Sequence, residues 1–420
     1  MRFSGQRIVI SALVSAVVLS ACADGGSSVT QPAGTVPSAA QRGTVPGGQV
    51  AVGRQAHSGV RRPMSSSCTS NGASSFAGGG EDNVASGDWS VVVGGDGNRA
   101  CDQLSAIVGG YYSYVSGSGT DGFVGGGEDN IVTGDDTDSA IVAGEYNTVS
   151  NTESAIVDGY MNTVSNAYGF LGGGYTNTLS GEYGVLGGGN TNNVSGSAAV
   201  IGGGQGSYAE GAYATVPGGY DNNAAGELSF AAGFKSYARY AGSFVWSDYS
   251  SSGTLLESTA ANQFLARATG GFTLWTNAAN SVGATLAPGS GTWASASDRN
   301  LKTDVARIDD AAVLDKVAAL PISRWSYKSE RGVRHVGPMA QDFYAAFGVG
   351  EDDKHITSID EDGVALSAIK ALHAENGALH ADNKTLHAEN ATLRQRLAAD
   401  EAHVRRVDAE LASVVAVLRK

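Results

Sequence analysis

Ser297 and Lys302 stand five positions apart in the run Ser297-Asp298-Arg299-Asn300-Leu301-Lys302, a hydroxyl and an amine of the kind that can work together as nucleophile and base. A serine hydroxyl is a weak nucleophile until a base takes its proton. Lysine can be that base only when unprotonated, which requires burial or other loss of solvent. Asp298 and Asp304 nearby oppose this by favouring the ammonium form. Ser297 also follows directly on the Ala296–Ser297 peptide bond, whose carbonyl its own hydroxyl can attack. Loss of the amine would leave an ester, which water would then hydrolyse. A Ser and a Lys separated by four residues are common in any sequence, so this spacing alone carries little weight. No Ser/His/Asp triad is suggested, because His57 lies in a low-complexity segment and His373, His380, His387 and His403 lie in a C-terminal helical pattern. Asp352-Asp353 and Asp360-Glu361-Asp362-Gly363 look slightly like a Ca²⁺ loop. An EF-hand register would put Ser358 first and Ile369 where a bidentate Glu is needed, so no metal and no cofactor is expected.

The sequence around this pair closely resembles the endosialidase-type intramolecular chaperone domain, a self-cleaving trimerisation module found at the ends of phage tail spikes and related bacterial proteins. The resemblance runs from about Trp293 to the C-terminus. Besides Ser297 to Lys302 it rests on Arg334-His335-Val336-Gly337-Pro338-Met339-Ala340-Gln341-Asp342-Phe343 and on Asp362-Gly363-Val364-Ala365-Leu366, in the family's order and spacing. It implies Ser297 as nucleophile, Lys302 as base, scission between Ala296 and Ser297, and a homotrimer. Asn300 and His335 could donate to the developing oxyanion, although spacing does not establish this. The alternative is a domain that trimerises and never cleaves.

Chemistry of this kind needs elements to hold it, and the rest of the chain supplies them. Downstream, Leu372, Leu379, Leu386 and Leu393 recur every seven residues and Val407 and Val414 continue the phase. The second core position holds Ile369, Asn376, Asn383, Asn390, Leu397, Val404, Leu411 and Leu418. This is a coiled-coil pattern, in which three consecutive Asn layers fix register at a cost in stability. Asn opposite Leu in this phase is commoner in dimers, against the trimer that the resemblance implies. The His and Glu residues between the leucines read as solvated flanks.

Upstream, a Gly recurs ahead of each x-x-Asn at Gly80, Gly95, Gly110, Gly127, Gly144, Gly159, Gly174, Gly189, Gly204, Gly219 and Gly233. The steps are 15 residues, except for two of 17 around Ser118 and Asp136 and a last one of 14. Such a period suits two short strands joined by tight turns, one flattened coil per repeat. The Val, Ile, Leu and Phe before the glycines would point inward, Gly would take the positive φ at each corner, and Asn83, Asn130, Asn147, Asn162, Asn177, Asn192 and Asn222 would tolerate the next turn. Coils stacked at about 4.8 Å make eleven of them a rod on the order of 50 Å long. The array resembles the left-handed β-roll heads of trimeric autotransporter adhesins, which implies three chains packed side by side. The fold class expected is therefore mostly β: a left-handed parallel β-roll of about eleven coils, a β neck, a small α+β chaperone domain and a C-terminal coiled coil. The segments are 1–22 signal, 23–70 tether, 71–245 roll, 246–292 neck, 293–366 chaperone domain and 367–420 coiled coil.

Composition and the N-terminus bound the setting. The 420 residues carry 60 Gly without a three-residue period, which excludes collagen. A formal net charge of −14, with no Lys/Arg cluster of more than a few residues, argues against a nucleic-acid partner, and none is expected. Arg2 and Arg7 followed by the apolar run Ile8 to Leu19 read as an export signal. Leu19-Ser20-Ala21-Cys22 resembles a bacterial lipobox, which implies lipidation of Cys22 and a membrane anchor; the plainer alternative is an ordinary cleaved signal. Residues 23 to 67 hold almost no large apolar side chain and read as a tether. Cys68 and Cys101 differ in coil phase by about two coils, ~9–10 Å, so their pairing would need an irregular first coil. The reading is an exported lipoprotein of the outer membrane or cell surface, a homotrimeric fibre with a cell-surface or glycan ligand. The alternative is a tail-spike-like enzyme acting on polysaccharide, which the coils support poorly: Glu81, Glu128 and Glu145 recur at one coil position and make no convergent acid pair.

Overall fold

A computed structural model describes residues 68–134, 138–250 and 253–418. The expected signal, Cys22, nearly all of the tether and the insertion at Asp136 lie outside them. The chain divides into residues 1–69 and 70–420, and almost all that is described belongs to the second unit. Of the first, Cys68 is buried. Cys68 and Cys101 are each disulfide-bonded.

The repeats form a parallel β-solenoid of two sheets, with one short strand per coil in each, two residues long up to Asn223–Ala224 and mostly longer after it. The first sheet runs from Phe76–Ala77 through Ala155–Ile156 and Phe170–Leu171 to Phe264–Arg267; the second runs from Val84–Ala85 through Thr163–Val164 and Thr178–Leu179 to Leu256–Glu257. Register repeats with the sequence: Ala155 pairs with Phe170 and Phe170 with Val185, while Thr163 pairs with Thr178. In each strand the second residue points inward and the first outward, as the two-residue period of a strand requires. Ile156, Leu171, Val164, Leu179 and their counterparts are completely buried, so the core is a double file of aliphatic side chains. Each such burial contributes roughly 1.5–3 kcal/mol.

The two longer steps both fall between a second-sheet strand and the next first-sheet strand. From a second-sheet strand to the next first-sheet strand takes seven residues at Thr148 to Ala155 (155 − 148), but nine at Tyr114 to Phe123 (123 − 114) and at Ile131 to Ala140 (140 − 131). The pairing of Ala106 with Phe123 and of Phe123 with Ala140 absorbs them without disturbing the stack.

All eleven glycines of the repeat have positive φ. At Gly159 the reason is also steric, since an added Cβ would collide with the carbonyl oxygen of Gly174 in the next coil. The asparagines differ from expectation. The left-handed residue is the one before each: Met161, Thr176 and Thr191 have φ of 55, 54 and 57°. Asn162, Asn177 and Asn192 are instead buried and form a ladder. Asn162 Nδ2 donates to Gly174 O at 2.9 Å, and Asn162 Oδ1 accepts from the backbone N–H of Asn177 at 3.0 Å. The pattern continues from Asn177 to Asn192. The amide is used because it carries donor and acceptor together, satisfying a buried corner in both directions along the stack.

The parallel stack outlasts the sequence repeat. Phe244–Ser247 pairs in parallel with Phe264–Arg267 across one longer coil, so the first part of the expected neck is still solenoid. The remainder is an antiparallel sheet of Phe272–Trp275, Gly283–Leu286 and Trp293–Ser295. Three helices follow: α1 (Asp310–Ala319), α2 (Ala340–Phe347) and α3 (Ser358–Leu418), with a two-stranded antiparallel sheet of Ser323–Trp325 and His335–Gly337 between the first two. α1 packs along α3, where Asp310 accepts from Ser367 Oγ and from Lys370 Nζ, each at 2.6 Å. α3 begins nine residues before the expected coiled coil. Thr357 Oγ1 donates to Asp360 Oδ2 at 2.7 Å and accepts from the Asp360 backbone N–H at 3.2 Å, a reciprocal cap that fixes this start.

Candidate functional site

The Ala296–Ser297 bond sits at the junction between the antiparallel sheet and the helices. Strand Trp293–Ser295 is held against Gly283–Leu286, and the Ala296 N–H extends the ladder by donating to Gly283 O at 3.0 Å. The acyl side of the bond is thereby tied to the sheet. The chain then turns sharply. Asp298 is the N-cap of a single 3₁₀ turn, Arg299–Leu301, and its Oδ1 accepts from the Asn300 backbone N–H at 2.9 Å and from Asn300 Nδ2 at 3.1 Å. The Leu301 N–H donates to Asp298 O and the Lys302 N–H to Arg299 O, each at 3.2 Å.

This turn brings the two ends of the motif together: Lys302 Nζ donates to Ser297 Oγ at 2.6 Å. Five extended residues would span roughly 16–18 Å, so the contact exists only because the backbone reverses. A deprotonated amine at this distance from a hydroxyl is placed to accept its proton.

The remaining candidates are placed elsewhere. Asn300 turns its amide to Asp298. His335 meets Glu330 Oε2 at 3.3 Å and stacks on Trp325 with ring centroids 4.7 Å apart. Trp325, Tyr327 and His335 form one aromatic cluster on and beside the two-stranded sheet. Asp304 accepts from its neighbour Thr303 Oγ1 at 3.1 Å. Asp298, which sequence reasoning treated only as an unfavourable charge, is the residue that closes the turn; its signal in the sequence is an acidic residue directly ahead of a short Arg-Asn-Leu turn. Asp360 belongs to the cap of α3 rather than to an ion-binding loop. Cys22 lies outside the described residues.

Within one chain the site is open to solvent: every residue from Gly291 to Asp309 is exposed. Leu301, Val305 and Ile308 flank it as exposed apolar side chains. In the solenoid, Glu81, Glu128 and Glu145 fall in one column of parallel bridges along a corner, with Glu128 directly beside Glu145. They therefore line an edge and do not face one another across a cleft.

Residues 297–349 match the family model described as chaperone of endosialidase, a match that begins at the serine of the dyad and ends just after α2. No curated protein matches the chain. A chaperone-of-endosialidase segment placed C-terminal to a parallel β-solenoid of about eleven turns fits a phage tail-fibre-like protein.

Proposed function

We propose that this protein is an exported homotrimeric surface fibre whose C-terminal region aligns three chains during folding and then severs itself between Ala296 and Ser297. The observation that carries the reading is the 2.6 Å Lys302–Ser297 contact at the first residues of the matched segment. Ser297 Oγ attacks the Ala296 carbonyl carbon while Lys302 Nζ takes the hydroxyl proton. The C–N bond then breaks as the Ser297 nitrogen takes up a proton, leaving the Ala296 acyl group esterified to Oγ. Water hydrolyses that ester to an Ala296 carboxylate, freeing the Ser297 hydroxyl and its new amino terminus. Lys302 must shed solvent to act as base, and neighbouring chains packed over Leu301, Val305 and Ile308 would provide that.

Two apolar surfaces support the trimer. On the outer face of the first sheet, Phe170 and Val185 are adjacent, and Phe230, Phe244 and Phe264 stack at 4.5 and 4.7 Å. Along α3, Leu372, Leu379, Leu386 and Leu393 are all at least half exposed in a single chain. Apolar stripes of this extent on a soluble chain mark association surfaces. The lipid anchor through Cys22 and the outer-membrane or cell-surface location rest on the N-terminal sequence alone. The long regular surface of the roll suits a cell-surface or glycan ligand.

Denaturing gels and intact-mass analysis of purified protein test the cleavage. The expected result is a fragment beginning at Ser297 in the wild type, absent in Ser297→Ala and Lys302→Ala. Full-length chain in all three would make the domain a permanent trimerisation cap.

A further inference from the structure

We propose that Asp298 is the positioning residue of the cleavage reaction, acting through the shape of the turn and against its own charge. The inference rests on the reading of Ser297 and Lys302 as the reacting pair. Its basis is the double acceptance at one oxygen. Asp298 Oδ1 receives both the backbone and the side-chain N–H of Asn300, and these bonds close the 3₁₀ turn that returns Lys302 to Ser297. The turn has three residues, is exposed throughout, and is followed directly by extended backbone at Lys302. With no buried side chain of its own, it depends on its cap more than a packed helix would. Removing the cap leaves only the backbone bonds from Leu301 and Lys302, each at 3.2 Å.

The carboxylate has a second effect of opposite sign. A negative charge beside a lysine favours the ammonium form, which cannot act as base. Among the described residues no ion pair joins Asp298 to Lys302, and the carboxylate oxygen is turned to Asn300 instead. Geometry and charge can therefore be separated by substitution. Asp298→Asn keeps a side-chain oxygen able to cap the turn and removes the charge; asparagine is as good an N-cap as aspartate. Asp298→Ala removes both.

The test is single-turnover cleavage of the full chain synthesised in a cell-free system, followed over time between about pH 6 and pH 9. Native gels run in parallel report whether each variant assembles. Asp298→Asn is expected to cleave with its pH profile displaced to lower pH. Asp298→Ala is expected to assemble and to cleave roughly tenfold more slowly, the usual consequence of losing a cap. Wild-type cleavage by assembled Asp298→Ala would overturn the proposal, as would Asp298→Asn as slow as Asp298→Ala with an unmoved profile.

A second arm works even if the chain never cuts itself. In Ser297→Cys the introduced thiol lies beside Lys302, which lowers its ionisation midpoint below the ordinary ~8.5. Alkylation by iodoacetamide as a function of pH reads that midpoint directly. Adding Asp298→Ala is expected to return it toward the ordinary value, and adding Asp298→Asn to leave it low. An unchanged midpoint in the Ala double variant would refute the positioning role. By contrast, cleavage at Ala296–Ser297 persisting in Ser297→Ala would remove the catalytic reading itself and leave the geometry of the turn to this arm.

Discussion

Replacing Asn162 with Ala probes what holds successive coils in register, and the structure sets the size of the effect. Asn162 is fully buried. Its loss strands the Asn177 backbone N–H, whose acceptor is Asn162 Oδ1 at 3.0 Å. It also removes one of two donors from Gly174 O, which keeps the Tyr160 N–H at 2.8 Å. Asn177 Nδ2 loses a third contact but keeps Gly173 O and Gly189 O. A stranded buried N–H costs about 1–3 kcal/mol, and a lost bond on an oxygen that keeps another costs about 0.5–1.5 kcal/mol. The sum is about 1.5–4.5 kcal/mol, or roughly a 10- to 2000-fold rise in local opening. Because each coil touches only its neighbours, the effect should stay within the coils around Asn162. Hydrogen exchange by mass spectrometry on the intact protein measures it, with Thr163→Ala on the outer face as the surface control. Protection over residues 163–179 that falls no further in Asn162→Ala than in the control would refute the ladder as a stabilising device.

Two further outcomes follow from single contacts in the C-terminal region. Thr357→Ala removes both hydrogen bonds of the cap at the start of α3, since each uses Thr357 Oγ1; the first helical turn is expected to fray, at about 1 kcal/mol, seen as faster exchange confined to residues 358–362. Asp310 is held below the usual carboxylate range, first by its hydrogen bond to Lys370 and then by that to Ser367, with desolvation opposing. In the unfolded chain it takes up a proton at a higher pH than in the fold, so its stabilisation is present above the ordinary carboxylate pKa and is lost as pH falls through the lower folded value. Acid exposure of α1 should accordingly begin below about pH 4, and Asp310→Asn should already show it at neutral pH; α1 exchange that is flat with pH in the wild type would contradict this.

Much of the fold was legible because the repeat is a steric necessity. A residue other than Gly at 159 or 174 would meet the backbone of the next coil, so the glycine spacing is also the coil spacing. The positions of the insertions were legible for the same reason: a turn can lengthen, whereas a two-residue strand between packed neighbours cannot. The asparagines were misread because Asn both tolerates left-handed backbone and satisfies buried corners, and composition does not say which use is made. Only pairing along the stack distinguishes them. The extra coil after Trp246 escaped notice because its register is 20 residues at Phe244 to Phe264 (264 − 244), with no glycine marking the corner at the usual spacing. At the site, the nearness of Ser297 and Lys302 was legible from the motif, but the hydrogen bonds of Asp298 to Asn300 were not, since a charge in sequence looks the same whether it faces the lysine or caps a turn.

In the proposed trimer, the regularity that makes the roll legible would also leave it unable to set its own alignment between chains. On the outer face of the first sheet, Ala155, Phe170, Val185 and Val200 succeed one another at one-coil intervals. Sliding a neighbouring chain by one coil would still set apolar side chains against apolar ones, so little free energy separates the right register from its neighbours. α3 differs, because Asn376, Asn383 and Asn390 in one core position and Asp400 in the other interrupt a seam otherwise built of Leu, Ile and Val. A slip of one heptad would set Asn376 against Ile369 and Asn390 against Leu397, burying amides beside hydrocarbon at roughly 1–3 kcal/mol each. In the proposed trimer the polar layers therefore cost stability and secure alignment. Changing all three to Leu is expected to raise the melting temperature of the assembled helices while admitting slipped assemblies. Single cysteines at Val185, on the outer face of the first sheet, cross-linked between chains by a short reagent, would report the slip as lost yield against the same cysteine in a background with the three Asn retained. Full cross-linking yield in the triple variant would mean that the roll does set its own register, and the need for a C-terminal guide would have to be explained another way.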